Sequence, residues 1–99
     1  MQNGYEALFE DEANIFGGTP KSKYFDIATQ ANEDIVYDEF DKIVEKFAIM
    51  EAMLEKHYDP DQLDNIIQNH GFENSSEIEH RKKGLYIEFT GNIVMRLDS

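Results

Sequence analysis

Gly84-Leu85-Tyr86-Ile87-Glu88-Phe89-Thr90-Gly91-Asn92-Ile93-Val94-Met95-Arg96-Leu97 is the stretch whose reading decides the fold. Leu85, Ile87 and Phe89 alternate with Tyr86 and Glu88, and Ile93, Met95 and Leu97 alternate with Val94 and Arg96. Successive side chains of a strand point to opposite faces, so a period of two gives one apolar face and one wet face. Thr90-Gly91-Asn92 between the two runs offers a short Gly-containing turn, and together they predict a β-hairpin. Residues 76–83 read two ways. Ser76 and Glu79 have the spacing of a capping box, with lysines late and Gly84 after them, which fits a short helix. A third strand turning at Lys83-Gly84 is the preferred reading, because a lone hairpin is marginal in water.

The segment before this region has a different period. Val36, Phe40, Ile43, Phe47, Met50 and Leu54 are spaced 4, 3, 4, 3, 4, an apolar seam on one long helix from about Asn32 to His57. Val44, Ala48, Ile49, Ala52 and Met53 widen the apolar surface of its second half almost all the way round. Such a helix is either central in its domain or covered by a partner, and the central position is expected here. Asp59-Pro60-Asp61-Gln62 starts a second helix: Asp59 suits the N-cap, Pro60 the first helical position and Gln62 the reciprocal capping place. Leu63, Ile66 and Ile67 give it a buried face. Gly71 is expected to stop it near residue 70, with Phe72 folding back on Ile67 in a Schellman arrangement.

Nearer the N-terminus the pattern weakens. Residues 21–31 are ambiguous: Phe25 and Ile27 alternate with Tyr24 and Asp26, which favours a strand or extended segment ending near Thr29, while Phe25 and Ala28 would also extend the next helix backwards. Gly17-Gly18 breaks any preceding helix, and Thr19-Pro20 reads as a turn or linker. Asn3 and Glu6 fit a capping box, behind which Tyr5, Leu8 and Phe9 share a face. That segment is either a loose tail or a short docking motif. Tyr5-Glu6-Ala7-Leu8-Phe9 resembles the pentapeptides that bind bacterial sliding clamps, without their leading Gln. The expected architecture is therefore α+β, one domain over 1–99. A long helix and a shorter helix form an acidic hairpin over 32–71, packed on a small antiparallel sheet of two to three strands over 76–98.

Composition narrows the function. Ninety-nine residues suffice for a single modest core. Without cysteine there is no disulfide framework, thiolate metal site or cysteine nucleophile. The longest apolar run, Phe47-Ala48-Ile49-Met50, is far below membrane-spanning length, and the first residues are acidic, so neither a membrane span nor a signal peptide is expected. The expected location is cytoplasmic, in the host if the chain is viral. His57, His70 and His80 lie 13 and 10 residues apart and form no metal-binding pair. Asp59, Asp61 and Asp64 miss the EF-hand pattern at Leu63 and Asp64. No glycine-rich phosphate loop is present. No cofactor, metal or catalytic residue is expected, and the chain reads as a non-enzyme.

Charge carries the rest. The chain holds 21 acids and 9 bases, net -12. Residues 1–32 contribute -3, residues 33–74 contribute -9, and residues 75–99 balance at zero. Asp34, Asp38, Asp41 and Glu45 step by 4, 3 and 4 along the long helix, so neighbours rise by about 4.5–6 Å, near the spacing of backbone phosphates. Glu39 and Glu55 extend that field. Like charges at i, i+4 weaken a helix by roughly 0.2–0.5 kcal/mol per pair, so their segregation asks for a use. The favoured expectation is an inhibitor that occupies a basic nucleic-acid-binding surface of a partner enzyme. In charge and size alone such a chain is similar to phage anti-restriction and anti-CRISPR factors, nuclease inhibitors and the immunity proteins of toxin nucleases. It would not itself bind nucleic acid or membrane. The alternative is a structural or adaptor subunit that binds through Ile49, Met53 and the aromatic N-terminal segment, with a homodimer formed through the helix seam as one version.

Overall fold

The computed structural model describes residues 18–97 and contains four helices, with no strand among the described residues. They are α1 (Pro20–Gln30), α2 (Glu33–Glu55), α3 (Pro60–Glu73) and α4 (Ser75–Leu97). The α+β expectation is thus overturned: in place of the hairpin or meander expected over 76–98, Ser75–Leu97 form a single helix of 23 residues. The reading of residues 3–9 lies outside the described residues.

The reason is in the deciding stretch itself, which carries a second period. Leu85, Phe89 and Ile93 stand at i, i+4 and i+8, one side of a helix. That side is the one the fold uses, for Ile93 is fully buried and Phe89 half-buried, while Ile87 and Met95 are 61% and 71% exposed. The residues ahead of it favour the same outcome. Glu77 accepts from Arg81 Nε at 2.8 Å, and Glu79 accepts from Lys82 Nζ at 3.3 Å, at i, i+4 and i, i+3 spacing. Thr90 settles its hydroxyl within the helix by donating to the Tyr86 carbonyl at 2.7 Å. Gly84 and Gly91 sit inside α4 and end nothing.

The second strand expectation fails similarly. Instead of a strand, Pro20–Gln30 form α1, started by a reciprocal cap rather than a turn. Ser22 N–H donates to Thr19 Oγ1 at 3.0 Å, Thr19 N–H donates to Ser22 Oγ at 2.8 Å, and Pro20 takes the first helical position. Gly18, at φ 96°, turns the chain into this cap in a conformation that suits glycine. Ala31 closes α1, and Asn32 opens α2 by accepting the Asp34 N–H at 2.8 Å, so the connection is two residues long.

The long helix runs close to its expected bounds. At the start of α3 Asp59 Oδ1 accepts the Asp61 N–H at 3.0 Å, as an N-cap should. Its end differs: α3 continues through Gly71 to Glu73, and Phe72 is 85% exposed instead of folding back on Ile67. Asn74 is the sole residue between α3 and α4, and both its backbone N–H and its side-chain amide donate to the His70 carbonyl.

The four helices make a thin, open body. α1 lies along α4, where Tyr24 and Phe25 meet Tyr86 with ring centroids 5.9 and 6.2 Å apart. α2 crosses α4 over a shorter stretch, and α3 touches its neighbours least. The molecule measures 43 × 37 × 17 Å with a radius of gyration of 16.2 Å. A compact chain of 99 residues would have about 12–13 Å. Among the described residues only Leu63 and Ile93 are buried apolar side chains.

Candidate docking surface

α2 positions all six of the acidic residues singled out in the sequence, and it separates them into two groups. Asp34, Asp41, Glu45 and Glu55 are exposed. Asp38 and Glu39 instead turn to the end of α4. Arg96 Nη1 donates to Asp38 Oδ2 at 2.6 Å and to Glu39 Oε2 at 2.8 Å. Lys42 Nζ closes the cluster, 3.1 Å from Glu39 Oε2 and 3.6 Å from Asp38 Oδ2. Glu39 is the one buried charged residue among those described, with only 9% of its surface exposed. Its burial is tolerable because two cations share its carboxylate.

The electrostatics follow from these contacts. The hydrogen bond from Arg96 is the largest cause holding both carboxyls below their ordinary values, and Lys42 adds to it. In return Glu39 and then Asp38 raise the Arg96 guanidinium above its ordinary value. Two carboxylates and two cations cancel locally, so the phosphate-like row is interrupted at Asp38. The row's spacing was legible in the sequence. Arg96 was not singled out, because a strand reading of 93–97 gave it no reason to meet α2.

Next to this cluster α2 and α4 diverge, leaving a groove of about 400 Å³. Its floor is apolar: Ile43, Phe47 and Met50 from α2 face Leu85, Phe89 and Ile93 from α4, with Tyr24 of α1 at one side. Glu39, Lys42, Lys46 and Glu88 are its charged residues, two of each sign. Beyond the groove the apolar surface continues along the second half of α2. Val44, Phe47, Ile49, Met50 and Met53 are between 47% and 62% exposed, and Leu54 is 37% exposed. The central position expected for this half-helix is therefore not what the fold gives it. Apart from the half-buried Val36 and Ile43, the seam and the widened apolar surface both face solvent. The groove's α4 wall was missed in the sequence, although the 4, 4 spacing of Leu85, Phe89 and Ile93 was there to be read.

Among the described residues no three His, Asp or Glu side chains gather as metal ligands, and His57, His70 and His80 lie on separate segments. No helix among them is long and apolar enough to cross a membrane.

The family described as a domain of unknown function, DUF2018, matches residues 16–98. No curated protein and no solved structure matches the chain.

Proposed function

We propose that this chain, which belongs to the DUF2018 family, is a non-enzymatic interaction subunit that docks through the apolar groove and the adjoining half of α2. One observation carries this reading. Among the described residues seventeen large apolar side chains are exposed and two are buried, the inverse of what a self-sufficient domain needs. Burial of apolar surface contributes about 25 cal/mol per Å², so a face of this size is a large unrealised stabilisation until something covers it. The charge-mimic alternative has less support, because Asp38 and Glu39 are already satisfied by Arg96 and Lys42. Asp34, Asp41 and Glu45 then serve to keep an apolar-faced chain dispersed and to steer its approach to partners.

The two mechanisms respond oppositely to salt. Contacts between exposed charges are screened at about 0.5 M salt beyond a few ångströms, whereas apolar contacts persist. Capture on the tagged chain at low salt, followed by a 0.5 M wash (about 4 Å screening length), should leave the docked protein bound. Reversing Asp41 and Glu45 to Lys should leave that retention intact, and Met53→Glu should abolish it. Release of every bound protein in the salt step, with loss of binding in the Asp41/Glu45 reversal, would restore the mimic.

A further inference from the structure

We propose that residues 5–16 are an acidic arm that docks on the outer face shared by α1 and the first half of α4, strapping the short helix to the long one. This face lies apart from the groove, and the inference stands whether or not the groove binds another protein.

Topology sets the face. α2 runs antiparallel to α4, for Glu39 lies at Arg96 while Phe47 and Met50 lie across the groove from Leu85 and Phe89. The start of α2 is therefore at the C-terminal end of α4. Gln30 and Glu33 are joined through two residues, a link that spans at most about 11 Å. With Tyr24 and Phe25 on Tyr86, α1 can make that link only by running parallel to α4. Run the other way, Gln30 would be level with His80, about 24 Å short of Arg96 on the helical rise. Lys21 and Lys23 are thus brought level with the Arg81-Lys82-Lys83 run.

That end differs in charge from the rest of the molecule. Five of the nine bases collect there, against Asp26, Glu77 and Glu79, a balance of +2. The remainder of residues 18–97 stands at -9. The same end is also apolar and open, with Phe25 49% and Ile87 61% exposed. Lys21 and Phe25 stand at i, i+4 on α1, as do Lys83 and Ile87 on α4, so each helix offers a base and an apolar side chain one turn apart. Neither pair lines the groove. α1 has need of a cover, since it is 11 residues long with no buried side chain, and a helix that short is marginal without packing.

The arm matches this face in place, reach and chemistry. It joins the chain where the face begins, at Gly18, whose φ of 96° leads into the Thr19 cap of α1. Phe9 stands nine residues before Gly18, a reach of up to about 30 Å, against roughly 10 Å from Thr19 to the level of Ile87. Glu6, Glu10, Asp11 and Glu12 give residues 1–17 a charge of -4 with no Lys or Arg among them. Tyr5, Leu8 and Phe9 supply the apolar cover for Phe25 and Ile87. A tethered segment holds an effective concentration on the order of millimolar at its site, which a foreign occupant has to match.

The test is zero-length carbodiimide cross-linking of the 99-residue chain, which joins a carboxylate to an amine only where the two touch. Mass spectrometry of the 11.5 kDa band should find Glu6, Glu10, Asp11 or Glu12 linked to Lys21, Lys23, Lys82 or Lys83. At about 0.5 M salt those links should fall severalfold. Reversing Glu10, Asp11 and Glu12 to Lys should speed amide exchange across α1 by about three- to tenfold, as should removal of residues 1–16, with α3 unchanged. The reversal alters no described residue, so it reads the arm even where the shortened chain fails to fold. Absence of arm links overturns the inference, as do α1 exchange rates that the reversal leaves unchanged. Arm links confined to Lys42, Lys46 or Lys56 overturn it in favour of the groove. Arm links found only at twice the chain mass overturn it in favour of docking on another chain.

Discussion

Arg96 is the residue on which the junction of α2 and α4 depends. It is the only link in the ion cluster that spans the two helices; Lys42 reaches Asp38 and Glu39 from within α2 itself. Both carboxyls titrate below their ordinary values of 3.8 and 4.5, so they bind fewer protons folded than unfolded across that range. Their contribution to stability is therefore complete above about pH 4.5 and is lost as pH falls through the depressed values. Arg96→Ala should lower Tm by a few degrees at pH 7 and by much less at an acid pH below the depressed carboxyl values, where the wild type has lost the pairing. A thermal melt of both proteins at the two pH values checks this. Ile93 is a different kind of dependence, on packing alone. It is the one fully buried large side chain among those described, and Ile93→Ala should cost about 2–5 kcal/mol, measured by denaturant unfolding.

Elements were legible in proportion to how strongly one period excluded the other. α2 declares itself because no strand spans 23 residues and nothing interrupts its seam. α3 has a proline and an aspartate at its start that admit few other readings, but its glycine misleads: Gly71 stays helical because the chain continues into Phe72 and Glu73 before turning at Asn74. α4 is the instructive failure. Its apolar residues satisfy a period of two and a period of nearly four at once, and two glycines flank the ambiguous half. What decided between them is burial of Ile93 against neighbours and α1 lying along the helix, which are tertiary facts with no local signature. The glycines inside helices remain a local weakness. A Cβ at Gly84 or Gly71 would meet nothing within 4 Å, so Gly84→Ala and Gly71→Ala should each add about 0.5–1 kcal/mol. Raised Tm with undiminished helical circular dichroism is the expected result.

At the scale of the molecule, the candidate surface was half legible. The exposed seam and the apolar second half of α2 are readable from spacing alone, but whether they were core or surface depended on how much of the chain could wrap around them. In this fold α2 makes few contacts with its neighbours, and its second half stays open to solvent. The acidic row was read correctly as a row and incompletely as a site, since its Arg96 partner is 58 residues away from Asp38. The 17 Å thickness of the body has one more outcome. Helix axes pack 8–10 Å apart, so a slab this thin holds at most about two helices across, and every helix has a side open to water. In an isolated chain, backbone amides of α2 beyond Met50 could then exchange with deuterium by local fraying, without waiting for the whole fold to open. Exchange there that slows when a docked protein is present would map the covering of this surface residue by residue, along the helix that a single chain leaves bare.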